Sequence, residues 1–271
     1  MAAVTGEIDL DAYFTRIEWG DGTTLDYQTL AGILLAHMSH IPFENLDVLL
    51  RRPIRLDLEG VQDKLVRARR GGYCFEHGTL LAAALERLGF HPVRHLARVL
   101  LELPRHQAGR THMFLSVALA EGTFILDPGF GVLASQVPVP LEPAGEGVGP
   151  GRHWMARDAE GWTLTARTAD GAVECWFSPL ERDHRIDFEM GNHWTSTHPA
   201  SGFVNRIMLR ALTGAGRVSV LNRDVKLIGA ASAMSTRLAD RAALRALLAE
   251  HFAIDLPEVE RLRVPAIPEW D

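Results

Sequence analysis

The chain changes its hydrophobic rhythm about a third of the way along. Over residues 9–90 apolar positions recur near helical spacing, as Leu30, Ile33, Leu34 and Met38 do within TLDYQTLAGILLAHMSHI, and DLDAYFTRI offers an Asp cap for a first helix. The run after Cys74 puts Leu81, Leu85 and Leu88 on one stripe and is predicted to end at Gly89, with Pro92 beyond. From residue 93 the period becomes two. Residues 93–103, 112–119, 123–127, 161–167 and 172–177 read as strands, and further strands are expected at 203–209, 217–222 and 225–229. PVPLEPAGEGVGPG (138–151) reads as a surface loop. A last helix starts near Asp240 and sets Leu244, Leu247, Leu248 and Phe252 on one face. Helices first, strands next and a mixed tail argue for α+β architecture, not a wound βαβ fold.

Composition narrows the function. The 271 residues are 47% hydrophobic and 23% charged, enough to bury a core and to suggest two or three packed subdomains. A net charge of -6 gives no basic field for nucleic acid. Two cysteines, Cys74 and Cys175, make no disulfide framework, and their scarcity fits a reducing compartment. No signal peptide is visible in MAAVTGEIDLDAYF, and no apolar run reaches the ~18 residues of a membrane span. A soluble cytoplasmic protein is expected.

The candidate chemistry centres on RRGGYCFEHG. A thiol in the first turn of a helix meets backbone N–H groups and the positive end of the helix dipole, which favour thiolate. Gly71 and Gly72 let a ligand or another backbone approach, and Arg69 and Arg70 add positive charge. The same features also suit a small buried hydrophobe at a helix start. Cys175, in VECWFSP, reads as core. A thiol nucleophile needs a base and something to orient it. His77 is one helical turn from Cys74 with no obvious acid beside it. His112 opens the apolar strand HMFLSVAL, and Asp127 closes the next one in TFILDPGFG. A two-residue turn at Glu121–Gly122 would pair Asp127 with Ser116, leaving His112 about 13 Å away at ~3.3 Å per residue. A Cys–His–Asp triad would therefore need a shifted register, a longer turn or a bulge. A zinc site is the alternative for Cys74 and His77, but no second short-spaced ligand pair accompanies them, and no metal is expected.

Several stretches resemble the arylamine N-acetyltransferases: HIPFENLDVLLRRPI (40–54), RGGYCFEH (70–77), THMFLSV (111–117), DPGFG (127–131) and TSTHPASGFVNR (195–206), in family order. The resemblance implies an N-terminal helical bundle (1–92) carrying the nucleophile. A central antiparallel β-barrel (93–200) would carry histidine and aspartate, and a C-terminal α/β lid (201–271) would follow. The resemblance also implies a core shared with papain-like Cys–His–Asp enzymes. It places the nucleophile on Cys74, the histidine on His112 and the aspartate on Asp127. It implies acetyl-CoA as acyl donor, no tightly bound cofactor, and small arylamines or arylhydrazines as acceptors. It puts Phe43, Phe130 and Phe203 in the substrate pocket, and Thr111, Gly129 and Gly131 beside the pantetheine arm. Lys226 and Arg223 are the candidates for the coenzyme phosphates. An amide synthase or a thiol hydrolase could use the same triad. Two departures stand out: Gly78 where Asn or Gln is usual, and Pro128 where valine is usual, which removes a backbone donor beside Asp127.

Overall fold

The computed structural model describes residues 6–145, 151–214, 216–229 and 232–270. The N-terminal part is mostly helical. Helix α1 (Leu10–Ile17) starts where the Asp9 carboxylate accepts the Ala12 N–H at 2.9 Å, and α2 (Tyr27–His40) starts the same way at Asp26, 2.8 Å from the Thr29 nitrogen. Strand β1 (Phe43–Glu44), α3 (Leu46–Leu49) and α4 (Leu58–Gln62) follow, and α4 runs into a π-helical turn at Asp63–Arg67. Helix α5 (Cys74–Leu88) stops at Gly89, whose φ of 99° only glycine adopts freely, and the Phe90 N–H closes back on the Leu85 carbonyl. The expectation of helix throughout 9–90 is thus corrected at β1. Two extended residues carry no period of their own.

The middle of the chain forms one antiparallel sheet. Its strands are β2 (Pro92–Val99), β3 (Arg110–Leu119), β4 (Gly122–Leu126), β5 (Val139–Pro140), β6 (His153–Arg157), β7 (Trp162–Thr168) and β8 (Gly171–Ser178), in the order β5-β4-β3-β2-β8-β7-β6. Beyond β5, Pro143 bridges to Met155 of β6 and the Ala144 N–H bonds the Met155 carbonyl, so the two edges meet and nearly close a barrel. Phe114, Ile125, Met155, Leu164 and Trp176 fill its interior. The strand expected at 93–103 ends at Val99, and the chain turns over the polar stretch that follows. The loop expected at 138–151 contributes Val139–Pro140 to the sheet edge. Residues 146–150 of that loop lie outside the described residues.

After the barrel strands come α6 (Arg185–Thr197) and α7 (Gly202–Asn205). Strands β9 (Met208–Thr213), β10 (Gly216–Leu221), β11 (Asp224–Gly229) and β12 (Ala233–Arg237) follow, and α8 (Arg241–Phe252) comes after them. These strands make a second antiparallel sheet, β1-β9-β10-β11-β12. One face, with Leu209, Ala211, Val218, Val220 and Val225, packs on Leu244, Leu248 and Phe252 of α8. The strand expected at 203–209 is a helical turn capped by Ser201, and extension begins only at Met208. Helix α6 was not foreseen, because Ile186, Met190 and Trp194 face solvent while Phe188, Gly191 and Thr195 are buried. No helix among the described residues is long and apolar enough to cross a membrane.

Candidate active site

Sequence motifs far apart are tied together by buried polar bonds. Gly71 lies against the Pro42 carbonyl oxygen, where any Cβ would collide with backbone. The Glu44 N–H bonds the Gly72 carbonyl at 2.8 Å, and the Gly72 N–H bonds the Pro42 carbonyl at 3.2 Å. Beneath them, Arg70 Nη2 meets Glu44 Oε1 at 2.6 Å, and Lys64 Nζ meets Glu76 Oε1 at 2.7 Å and Asp47 Oδ2 at 2.9 Å. Glu76 uses its other oxygen to accept the Tyr73 N–H at 3.1 Å, capping α5 one residue before Cys74. Burial pushes the Glu76 carboxyl up to about 6, against the pull of Lys64. Burial disfavours the Lys64 charge, but the surrounding carboxylates outweigh it and hold its pKa above the ordinary value. Asn45 ties in a third motif: its Nδ2 donates to the Phe203 and Arg206 carbonyls at 2.8 Å, and its Oδ1 accepts the Met208 N–H at 2.9 Å.

The hairpin that carries the other two site residues differs from the one expected. Its turn is Ala120–Glu121, with Leu119 paired to Gly122 and Leu115 to Leu126. Starting the turn one residue earlier moves every partner by two. Continuing that register sets Asp127 level with Phe114, on the His112 face and diagonal to it, which is within side-chain reach. His112 Nε2 accordingly lies 3.0 and 2.9 Å from the two Asp127 oxygens, and the 13 Å gap does not arise. Across the β2–β3 pair, Ala97 faces His112 and Arg98 faces Arg110, so Thr111 is the extra residue of a bulge. Its carbonyl oxygen lies 3.9 Å from Cys74 Sγ.

Cys74, His112 and Asp127 therefore meet, and all are nearly inaccessible to solvent. The Cys74 side chain is a hydrogen-bond partner of the imidazole. Since Nε2 is spent on Asp127, Nδ1 is the nitrogen left for sulfur. Burial alone would lower the His112 pKa. The Asp127 charge and hydrogen bond, helped by Cys74, outweigh it and raise the group to about 10. A residue the sequence reading missed completes the support: Trp176 Nε1–H donates to Asp127 Oδ2 at 2.8 Å while its ring stacks on Phe114. Its tryptophan sat unremarked beside Cys175 in a strand pattern. Cys175 is buried in the barrel core, and burial raises its thiol to about 12, an unreactive state.

His77 points elsewhere. Its Nε2 donates to the Pro42 carbonyl at 3.2 Å, and its Nδ1 lies 2.8 Å from His37 Nε2. His37 Nδ1 in turn lies 2.9 Å from the Tyr13 hydroxyl. One set of tautomers satisfies the whole chain, with the hydroxyl donating to His37, His37 to His77 and His77 to the carbonyl, both rings neutral. With both nitrogens engaged, His77 is free neither as a base nor as a zinc ligand beside Cys74. Burial lowers the His77 pKa to about 4 and that of His37 well below its ordinary value. A group depressed in this way stabilises the fold fully above its unfolded pKa of 6.5 and loses that contribution as pH falls toward 4. For His77 the loss is on the order of 3 kcal/mol. Glu76, raised from 4.5, works oppositely between 4.5 and 6. Urea titrations of wild type and His77→Gln share that Glu76 term. Between pH 6.5 and 4 the wild type is expected to lose more stability than the variant, and parallel curves would refute the assignment.

Phe43 lies in the same core cluster as Cys74, with Phe130 and Phe203 packed against that cluster. Phe130 packs edge-on against His112 at 4.9 Å between centroids, Phe203 sits 5.2 Å from Tyr73, and Phe43 meets Phe203 at 6.2 Å. The nearest atoms a Cβ on Gly129 would meet belong to Cys74, so this glycine admits the DPGFG turn onto the start of α5. Gly131 has φ of 64° and faces the Phe43 ring. Gly78 leaves room for Met113 of β3, whose side-chain end fills the space a Cβ would need. A groove of about 270 Å³, lined by Leu96, Gly109, Arg110, Thr111, Met190 and Trp194 among others, opens beside Thr111. Of the two basic candidates in the tail, Arg223 is already engaged with Glu269 and the Leu238 and Ala239 carbonyls, whereas Lys226 is exposed on β11.

A near-closed antiparallel barrel that sets a histidine–aspartate pair against a cysteine at a helix start defines an α+β protein with a thiol–imidazole–carboxylate site. Comparison with known proteins supplies the family. The sequence profile described as N-acetyltransferase matches residues 26–261. The arylamine N-acetyltransferase of Escherichia coli (strain K12) is 34% identical over 254 residues, covering 93% of this chain and 90% of the relative. The solved arylamine N-acetyltransferase from M. tuberculosis superposes with a TM-score of 0.86 at 31% identity, over 97% of this chain and 99% of that one. The Mycobacterium marinum enzyme in complex with CoA superposes with a TM-score of 0.86 at 30% identity, over 93% and 94%. The chain belongs to the arylamine N-acetyltransferase family, a family of acyltransferases.

Proposed function

We propose that the protein transfers acetyl from acetyl-CoA to small arylamines or arylhydrazines by a ping-pong route through acetyl-Cys74. The observation that carries this is the single imidazole bonded to Asp127 on one side and to Cys74 on the other. In the resting site His112 is protonated and Cys74 is the thiolate, each charge favouring the other. The thiolate attacks the thioester carbonyl, and the tetrahedral oxyanion is held by the Cys74 N–H, one of the unpaired amides at the helix start. The C–S bond to coenzyme A breaks as His112 gives its proton to the leaving thiol. The amine then attacks acetyl-Cys74. His112 takes the amine's proton, the amide leaves, and the thiolate–imidazolium pair is restored. Thioester exchange is close to neutral in energy, so the intermediate keeps the driving force for amide formation.

Phe43, Phe130 and Phe203 form the pocket for the aromatic acceptor in this reading, with Gly131 and Thr111 beside the pantetheine arm. The groove beside Thr111 and the CoA complex of the Mycobacterium marinum relative support the latter. Gly129 serves the arm indirectly, by bringing its turn against Cys74. The helical part (1–92) supplies the nucleophile of a papain-like core, the barrel (93–200) its partners, and the C-terminal part (201–271) acts as a lid through Phe203. Two cysteines, both unpaired, suit work in the cytoplasm.

Mass spectrometry of the protein incubated with acetyl-CoA should find one acetyl group on the Cys74 peptide. Adding an arylamine should discharge it to the N-acetyl product faster than water does. No adduct under slow turnover, or equal discharge by water, would sink the proposal, the second outcome pointing to a hydrolase.

A further inference from the structure

The register of the C-terminal sheet lines up a row of residues on the face turned away from α8. Phe43 of β1 pairs with Arg210 of β9, Arg210 with Ser219 of β10, and Ser219 with Lys226 of β11. Arg217 lies two residues from Ser219 on the same face. The Gly131–Leu133 turn packs against β9 here, and Arg217 Nη1 donates to the Val132 carbonyl at 3.0 Å.

Arg210 is 4% exposed, yet its guanidinium makes no hydrogen bond or ion pair among the described residues, and Nε and Nη2 are both buried without a partner. Arg217 Nε is orphaned as well. The charges that act on Arg210 are Arg217, which repels it, and Asp127, whose oxygens are already taken by His112 and Trp176. Arg152 adds a third positive charge near Arg217. Burial lowers Arg210 to about 10, which still leaves it charged at neutral pH. A buried cation without an anion is costly, and such a group calls for an explanation outside the chain.

We propose that Arg210 and Arg217 form a receptor for an oxyanion carried by a substrate, its nearest source being a carboxylate on the acceptor amine. This rests on the acetyl-transfer reading. The position decides between sources. Arg210 is the strand partner of Phe43, and Phe43 bridges to Gly72, two residues from Cys74. At about 4.8 Å between strands, Arg210 is only about 10 Å from Gly72 in backbone terms. That separation is on the length scale of an aromatic amine with its amine directed to the sulfur and its acid to the guanidinium, whereas the coenzyme phosphates sit at the far end of the long pantetheine arm.

The test compares 4-aminobenzoate with its neutral isostere 4-aminobenzamide, using acetyl-CoA and the phosphate-free donor S-acetyl-N-acetylcysteamine. In Arg210→Met the kcat/KM ratio of acid to amide is expected to fall at least about 30-fold, and Arg210→Lys to restore part of it. A fall instead in the ratio of acetyl-CoA to the short donor would keep the oxyanion site but assign it to the coenzyme phosphates. If neither ratio moves, the proposal is overturned. Arg217→Met, at a half-buried position, reads the same ratios should Arg210→Met fail to fold. Acetylation of Cys74 by the short donor is followed in each variant. Its presence without any change of selectivity refutes the receptor alone, and its absence in wild type refutes the acetyl-transfer reading. Inorganic phosphate and benzoate are each expected to raise the Tm of wild type more than that of Arg210→Met, and equal shifts would count against the site.

Discussion

Replacing His112 with alanine is expected to slow acetylation of Cys74 by acetyl-CoA on the order of 10⁴-fold or more, while His77→Ala slows it only a few-fold in the fraction that folds. A free thiol has a pKa near 8.5 and is mostly protonated at neutral pH. What makes Cys74 a nucleophile in the proposed mechanism is the imidazolium beside it, held charged because Asp127 raises His112 to about 10. His112→Ala removes that charge and the proton donor for the leaving thiol together. His77 lies in a different hydrogen-bonded chain, from Tyr13 to the Pro42 carbonyl. Its loss weakens the seat of the RGGYC loop without touching the sulfur. Single-turnover mass spectrometry, scored against the folded fraction, separates the two. Greater loss in His77→Ala would mean that the base has been misassigned.

Asp127→Asn should lower kcat/KM about 10³- to 10⁴-fold with little change in fold. The amide has nearly the same shape and can still accept from Trp176, but it carries no charge. Burial then prevails and the His112 pKa falls. The amide nitrogen also presents a donor to Nε2, which turns the ring's N–H toward the sulfur and leaves no basic nitrogen there. The ring titration of His112, followed by NMR, is expected near 10 in wild type and well below it in the variant. A raised folded pKa of this kind stabilises the fold fully below 6.5 and ceases to do so as pH rises through 10, so wild type should also show an alkaline loss of stability that Asp127→Asn lacks. Unchanged titration would show that Asp127 does not control the histidine.

The site was readable in the sequence to different depths. Local features, two glycines, a helical run and the scarcity of cysteine, drew notice to Cys74 but suited a buried structural cysteine equally, and the RGGYCFEH motif was what favoured a nucleophile. His112 and Asp127 were visible as polar residues at strand ends, where apolar periodicity makes them conspicuous. Their meeting was not visible, because it depends on which two residues make the hairpin turn, and a shift of one in the turn displaces each cross-strand partner by two. Trp176 escaped because an aromatic residue in a strand looks the same whether its N–H is spent on a loop carbonyl or on the Asp127 carboxylate. The role of Arg210 escaped for a similar reason. Arginine in a strand is ordinary, and only burial without a partner sets it apart.

Local sequence by itself determined the capped start of α1, the glycine stop of α5, the longer alternating barrel strands β2, β3, β4, β7 and β8 and the presence of a thiol at a helix start. All of these follow from dihedral preference, capping or period within a few residues. Tertiary structure alone decided the hairpin register, the pairing of β1 with β9, the burial of the Lys64–Glu76 and Arg70–Glu44 network and the isolation of Arg210. Each is set by which distant surfaces exclude water together, and that free energy belongs to the packed whole and has no signature in any short stretch of chain.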